Sequence, residues 1–294
     1  MLKVSAVTII LASGGVLALC ACAIYLQVIF VTTPFRNRNI GDIPNLSYQE
    51  VTLTAADGIA ISGWYIRGTR PAGIVIVHGI HANRADLIPQ AKILAGAGYH
   101  LMLIDLRGHG RSDAAILTYG YREALDVQSG VDYLLNLPEV ERVGALGHSL
   151  GAAAVVRAAA SNPRIEAIVV QSTYSSLLRA VDDTFNNYVI FPKWPFAPLI
   201  VALAEHRARV DISQVDSARD LARMPARPVM IIHGDGDTLF KLHHASELYA
   251  SAQEPKELWI IRAAGHTNPI RGQEVEYGER VLNFFDKALG GGRG

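Results

Sequence analysis

Short unbroken runs of apolar residues, each followed by a stretch of helical length, constrain this chain more than any other feature. Gly73–Val77 reads Gly-Ile-Val-Ile-Val, and mostly apolar runs, with Arg142 and Glu166 as the charged positions, recur at His100–Ile104, Arg142–Leu146, Ile165–Val170, Val229–Ile232 and Leu258–Ile261. A strand that is apolar on both faces has to be covered on both faces. The covers are the helical stretches Ala85–Ala97, Glu123–Leu135, Leu150–Ala160, one around Ala245, and Glu274–Leu289. This alternation predicts an α/β fold with a mostly parallel central sheet and helices on both faces. Ahead of it, Val51–Thr54 and Ile59–Ile66 flank Asp57-Gly58, a hairpin signal that predicts antiparallel strands at one edge.

The N-terminus follows a different rule. Val4 to Thr33 holds no charged residue. A helix of that length exceeds the roughly 20 residues needed to span a bilayer core. It reads as an N-terminal transmembrane anchor over residues 1–33. A signal h-region is much shorter. Leu19-Cys20-Ala21-Cys22 loosely matches a lipobox, so a cleaved or lipidated signal is the alternative; against it, the apolar run continues past Cys22 to Val31. Lys3 before the span and Arg36 and Arg38 after it lean weakly towards a cytoplasmic catalytic domain. Residues 34–48, with Pro34, Gly41 and Pro44, read as a linker, and 290–294 as a Gly-rich tail. The folded domain is expected over 49–289.

Lysine plus arginine number 27, as do aspartate plus glutamate. No basic field exists to hold a polyanion, so nucleic acid is not an expected partner. Both cysteines, Cys20 and Cys22, lie in the anchor, so the rest of the chain has no thiolate zinc site and no cysteine nucleophile. No motif implies a metal or organic cofactor. His243-His244 reads as a solvated helix face rather than a metal pair.

One region interrupts the alternation. Tyr174 to about Arg223 is too long for a simple crossover and carries Phe191, Trp194 and Phe196 among several prolines. It is expected to form a largely helical insertion over the site.

The chemistry centres on Gly147-His148-Ser149-Leu150-Gly151. G-x-S-x-G between an apolar strand and a helix places serine at the apex of a sharp turn, at the helix N-terminus. There the N–H of Leu150 can serve an oxyanion. A serine nucleophile needs a base, and the base an orienting acid. His266, in Gly265-His266 after the last strand, is the candidate base. In His233-Gly234-Asp235-Gly236-Asp237, Asp237 is preferred as the acid, because Asp235 suits the turn between its flanking glycines. The second oxyanion donor is expected from the loop His78-Gly79-Ile80-His81, at the N–H of Ile80, with His78 as a structural support.

Together with the turn Asp105-Leu106-Arg107-Gly108-His109-Gly110-Arg111-Ser112, these pieces resemble the α/β-hydrolase superfamily over about Gln49 to Leu289. The resemblance implies that the insertion at 174–223 is a cap shaping the acyl pocket, and that Asp105–Ser112 is structural. Members with aspartate at the elbow, such as dehalogenases and epoxide hydrolases, are disfavoured by Ser149, and so are the cysteine-bearing dienelactone hydrolases. The long N-terminal span departs from the soluble members. The expected function is a membrane-anchored serine hydrolase acting on a small-molecule ester or related acyl substrate, lipid-like in view of the anchor and the apolar cap. A peptidase, thioesterase or acyltransferase would use the same triad. A catalytically silent, membrane-tethered binding protein is the alternative of another class.

Overall fold

The computed structural model describes residues 6–267, 270 and 272–290, with 6–13 and 16 described by backbone alone. Residues 1–5 of the expected anchor and 291–294 of the expected tail lie outside the described residues.

Helix α1 spans Ala6–Thr32. The hairpin follows as β1 (Gln49–Thr54) and β2 (Ala60–Ile66), paired antiparallel as its Asp57-Gly58 turn predicts. Then come β3 (Ala72–Val77), α2 (Ile88–Gly96, entered through a 3₁₀ turn at Arg84–Leu87), β4 (His100–Ile104), α3 (Glu123–Leu135), β5 (Arg142–His148), α4 (Leu150–Ser161) and β6 (Ile165–Gln171). The insertion supplies α5 (Leu177–Tyr188) and α6 (Lys193–Ala208). The chain ends through α7 (Ser217–Arg223), β7 (Val229–Gly234), α8 (Leu242–Ser251), β8 (Lys256–Ile261) and α9 (Glu274–Leu289).

The eight strands form one sheet in the order β1-β2-β4-β3-β5-β6-β7-β8. β2 pairs antiparallel with β4, and all pairings from β4 to β8 are parallel. In β3, Val75 and Val77 join the core beneath α3, α4, α7 and α8, while Ile74 and Ile76 join the opposite core with α2 and α9. Every β3 residue is buried, which is why its sequence shows no alternation. Each such Val or Ile contributes roughly 1.5–3 kcal/mol by leaving water.

The turn after β4 is a polar lock at the hairpin edge. The Asp105 carboxylate accepts the N–H groups of Arg84 and Arg111, both at 2.8 Å. Arg107 binds Asp126 and Asp57 with its guanidinium. Gly110 has φ +46, and a Cβ there would overlap the Asp105 carboxylate, so the glycine is required.

Two expected boundaries shift. Although it ends the expected insertion at 174–223, α7 packs on α4 and α8 and buries Leu221 in the sheet-facing core. It is the crossover helix between β6 and β7. The piece that stands over the sheet is therefore shorter, built on α5 and α6. The expected linker at 34–48 has no helix or strand before Gln49 but is docked along its length. Ile40 and Ile43 are buried in the core cluster that holds Trp64. The Phe35 N–H donates to His81 Nδ1 at 2.9 Å, and Arg36 binds the carbonyls of Gly110 and Ser112. Burying Ile40 and Ile43 removes two side chains from water that would otherwise be exposed.

The C-terminal end of α1 is also fastened to the domain. Its last carbonyls have no partner inside the helix. Tyr119 donates its hydroxyl to Val31 O at 2.6 Å, and the Leu117 N–H donates to Thr32 O at 2.9 Å. Arg207 Nε donates to Thr32 Oγ1 at 2.9 Å, and Gln27 Nε2 to Tyr188 O at 2.7 Å. Val28 packs with Phe185 and Ile200 of the insertion. The apolar segment with described side chains is Leu17–Thr32, and among the described residues no single helix is long and apolar enough to cross a membrane.

Candidate active site

The C-terminal ends of β3, β5, β7 and β8 converge on one point, the edge at which a parallel sheet exposes its loops. Ser149 sits between β5 and α4 with φ 53° and ψ −118°, a backbone strained for a non-glycine residue. The turn holds because its neighbours have no side chain. A Cβ on Gly147 would come within 2.5 Å of Gly151 O, and one on Gly151 within 2.4 Å of the carbonyls of Val77 and His78. The Ser149 N–H is fixed by Gln171 O at 2.8 Å.

His266, in the loop after β8, bridges Ser149 and Asp237. Its Nε2 lies 3.0 Å from Ser149 Oγ, and its Nδ1 lies 2.8 Å from Asp237 Oδ2. An ionised carboxylate only accepts, so Nδ1 carries the proton and Nε2 faces the serine hydroxyl with its lone pair. The ring stands edge-on to Phe240 with centroids 5.0 Å apart. Asp237 is held in turn by the N–H groups of Leu239 and Phe240, both 2.9 Å from Oδ1. Burial opposes its charge, but the His266 hydrogen bond and the surrounding donors prevail, and the carboxyl titrates below its ordinary value. Asp235 does not reach His266. Its Oδ1 accepts the Ala263 N–H at 2.6 Å, which shapes the loop carrying the histidine.

Ile80 and Leu150 both line the cavity beside Ser149. Leu150 is the first residue of α4, so its N–H has no acceptor one turn back and lies at the positive end of the helix. His78 is buried, donates from Nδ1 to Gly79 O at 2.7 Å and accepts the Leu106 N–H on Nε2 at 3.0 Å. Desolvation pushes it down to about 3, so it stays neutral and supports the loop.

Sequence reasoning passes over several residues. His148 donates from Nε2 to His266 O at 2.9 Å and so positions the loop of the candidate base. Desolvation and the neighbouring His266 push its pKa down to about 4. His244 is buried rather than part of a solvated face, because α8 packs its first turn under Ser175 and Phe240. Asp183 on α5 faces Lys241, His243 and His244 at 2.9, 3.2 and 3.4 Å, tying the insertion to α8. Asp183, His243 and His244 bring three potential ligand atoms within 4.8 Å of one another. However, the Ser175 N–H occupies His244 Nδ1, which leaves the ring proton on Nε2, where an ion would need a lone pair.

A cavity of about 200 Å³ opens above Ser149, with mainly apolar walls. The insertion lines it through Val181, Phe185, Val189 and Val201, and α1 through Phe30, Val31 and Thr32. Phe191, Trp194 and Phe196, the apolar side chains of the expected cap, are not on its wall. Phe191 and Phe196 pack on each other with centroids 4.8 Å apart, and Trp194 is 79% exposed. The pocket wall inside α1 has no signature in the sequence, since an apolar helix end looks the same whether lipid or substrate lies against it.

A family model described as the alpha/beta hydrolase fold matches residues 74–196. The uncharacterised protein YfhR of Salmonella typhi is 29% identical over 261 residues, covering 82% of each chain. Protein bem46 of Schizosaccharomyces pombe is 22% identical over 204 residues, 66% of this chain and 62% of that protein. Among solved structures, esterase Pf2001 of Pyrococcus furiosus superposes with a TM-score of 0.72 at 24% identity, covering 87% of this chain and 98% of that one.

Proposed function

We propose that this chain, which has the alpha/beta hydrolase fold, is a serine esterase held at a membrane by α1. The observation that carries the reading is the unbroken row Asp237–His266–Ser149, with separations of 2.8 and 3.0 Å. In this reading Ser149 Oγ attacks the acyl carbonyl as His266 Nε2 takes its proton. The carbonyl oxygen, now negative, is held by the N–H groups of Ile80 and Leu150. His266 then returns the proton to the leaving alcohol, and the acyl-enzyme forms. Water attacks that ester by the same route and releases the acid. Each oxyanion donor is worth about 2.7–4 kcal/mol in the transition state.

The apolar cavity favours an ester with a hydrocarbon acyl group. The anchoring role rests on the uncharged run from Val4 to Thr33 and on the exposed Leu17, Leu19, Tyr25 and Leu26 of α1. The Pyrococcus esterase with the same fold lends support to an ester substrate. The test is turnover of p-nitrophenyl esters of graded acyl length by the full chain in detergent or vesicles. The expected result is hydrolysis with an optimum longer than acetate. A folded protein that hydrolyses none of them would contradict the reading.

A further inference from the structure

We propose that α1 is a wall of the acyl pocket as well as an anchor, and that the enzyme draws a long-chain ester from the bilayer through a mouth between Phe30 and Tyr188. The inference rests on the serine-esterase reading and names its substrate class.

Most of the cavity wall is buried or half-buried, but Phe30 is 57% and Tyr188 46% exposed. The two are neighbours. Gln27, one turn before Phe30, donates to the Tyr188 carbonyl at 2.7 Å. Both line the cavity where α1 meets the end of α5, which is where the proposed mouth lies. Another exposed lining residue is His81, beside the candidate oxyanion loop, which serves the polar end of the site.

Exposed apolar side chains stand on both elements near Phe30 and Tyr188, with Asn186 and Asn187 as exposed polar neighbours at the end of α5. On α1, Leu26, one turn before Phe30, is 59% exposed; on the turn between α5 and α6 and at the start of α6, Ile190 and Trp194 are 81% and 79% exposed. One cluster, Val28 with Phe185 and Ile200, flanked by Phe191 and Phe196, ties these elements together. Between Tyr188 and Leu199 the charged residue is Lys193, whose ammonium is paired with Asp182 of α5. Exposed aromatic and aliphatic side chains grouped in this way mark a surface meant for contact. The covering consistent with α1 running into the same patch is lipid. A chain lying beside α1 in the bilayer then meets the mouth end-on, and Val31, one residue past Phe30, lines the path to Ser149.

The experiment uses the full chain in phosphatidylcholine vesicles with p-nitrophenyl esters from acetate to palmitate, for wild type, Val31→Trp and Val31→Ala. Val31→Trp is expected to move the optimum to shorter chains and to lower kcat/KM for the ester preferred by wild type by about tenfold or more, the scale of a filled methylene-sized space. Val31→Ala is expected to move the optimum to longer chains, and it keeps the proposal testable if the tryptophan variant does not fold. At fixed bulk concentration, palmitate turnover is expected to follow the mole fraction of ester in the bilayer. Chain-length profiles of both variants that overlay wild type would overturn the wall, and turnover that follows bulk concentration would overturn entry from the bilayer, while the esterase reading stands. No turnover of any ester, with no labelling of the protein by a fluorophosphonate, would overturn both.

Discussion

Replacing Ser149 by alanine is expected to lower kcat for the preferred ester by about a millionfold, the loss seen when a serine nucleophile is removed from such a row. The effect is large because the hydroxyl is the atom that bonds to the acyl carbon, and the row offers no second nucleophile. His266 Nε2 lies 3.0 Å from Oγ and its other nitrogen is committed to Asp237. The fold is expected to survive. Alanine already has the Cβ that the φ of 53° must accommodate, and the turn is held through the backbone by the Ser149 N–H on Gln171 O. Ester turnover beside a thermal melt checks both halves. An alanine variant with wild-type turnover would remove Ser149 from the mechanism.

Asp237→Asn is expected to cost about 10⁴-fold in kcat with the geometry nearly intact, by analogy with the same change in a serine protease triad. The reason lies in who donates to whom. Leu239 and Phe240 present two N–H groups to Oδ1, so the asparagine oxygen takes that position and its NH₂ faces His266 Nδ1. An NH₂ needs an acceptor, so the imidazole proton moves to Nε2. That nitrogen then points a hydrogen at Ser149 and cannot take one away. The same substitution removes a pH-dependent contribution to stability. Asp237 titrates below its ordinary value in the fold, so its contribution is present above the unfolded pKa and is lost as pH falls through the folded value. Single-turnover acylation rates test the prediction. A loss of only a few-fold would mean that the carboxylate does not set the histidine tautomer.

Local pattern makes much of the fold and the site legible in the sequence. The strands buried on both faces show as unbroken apolar runs, and the hairpin shows as Asp57-Gly58 between two alternating segments. The serine elbow needs Gly147 and Gly151 for contacts under 3 Å, so its spacing is a direct trace of geometry. Asp235 and Asp237 separate in the structure for a reason the flanking glycines do not announce, since Asp235 accepts the Ala263 N–H of the loop after β8.

What stays hidden depends on meetings between distant segments. Nothing near Val31 announces that Tyr119, 88 positions later, will take its carbonyl. The docking of Ile40 and Ile43 beside Trp64 is similarly invisible, because an apolar residue in a Pro- and Asn-rich stretch carries no period. His244 looks like the solvated neighbour of His243 until α8 is packed against Ser175. The crossover role of α7 is decided by Leu221 reaching the sheet core, which a length argument does not see. The pocket wall drawn from α1 matters most for experiment, because a chain cut after α1 would also lose Phe30, Val31 and Thr32 from the cavity.

The most direct test of the central claim is covalent. The full chain is treated with a fluorophosphonate, digested, and the modified residue located by mass spectrometry. The account predicts a single adduct on Ser149, formed rapidly by wild type and slowed by about 10⁴-fold in Asp237→Asn. An adduct on another residue, or none on a folded protein, would contradict it.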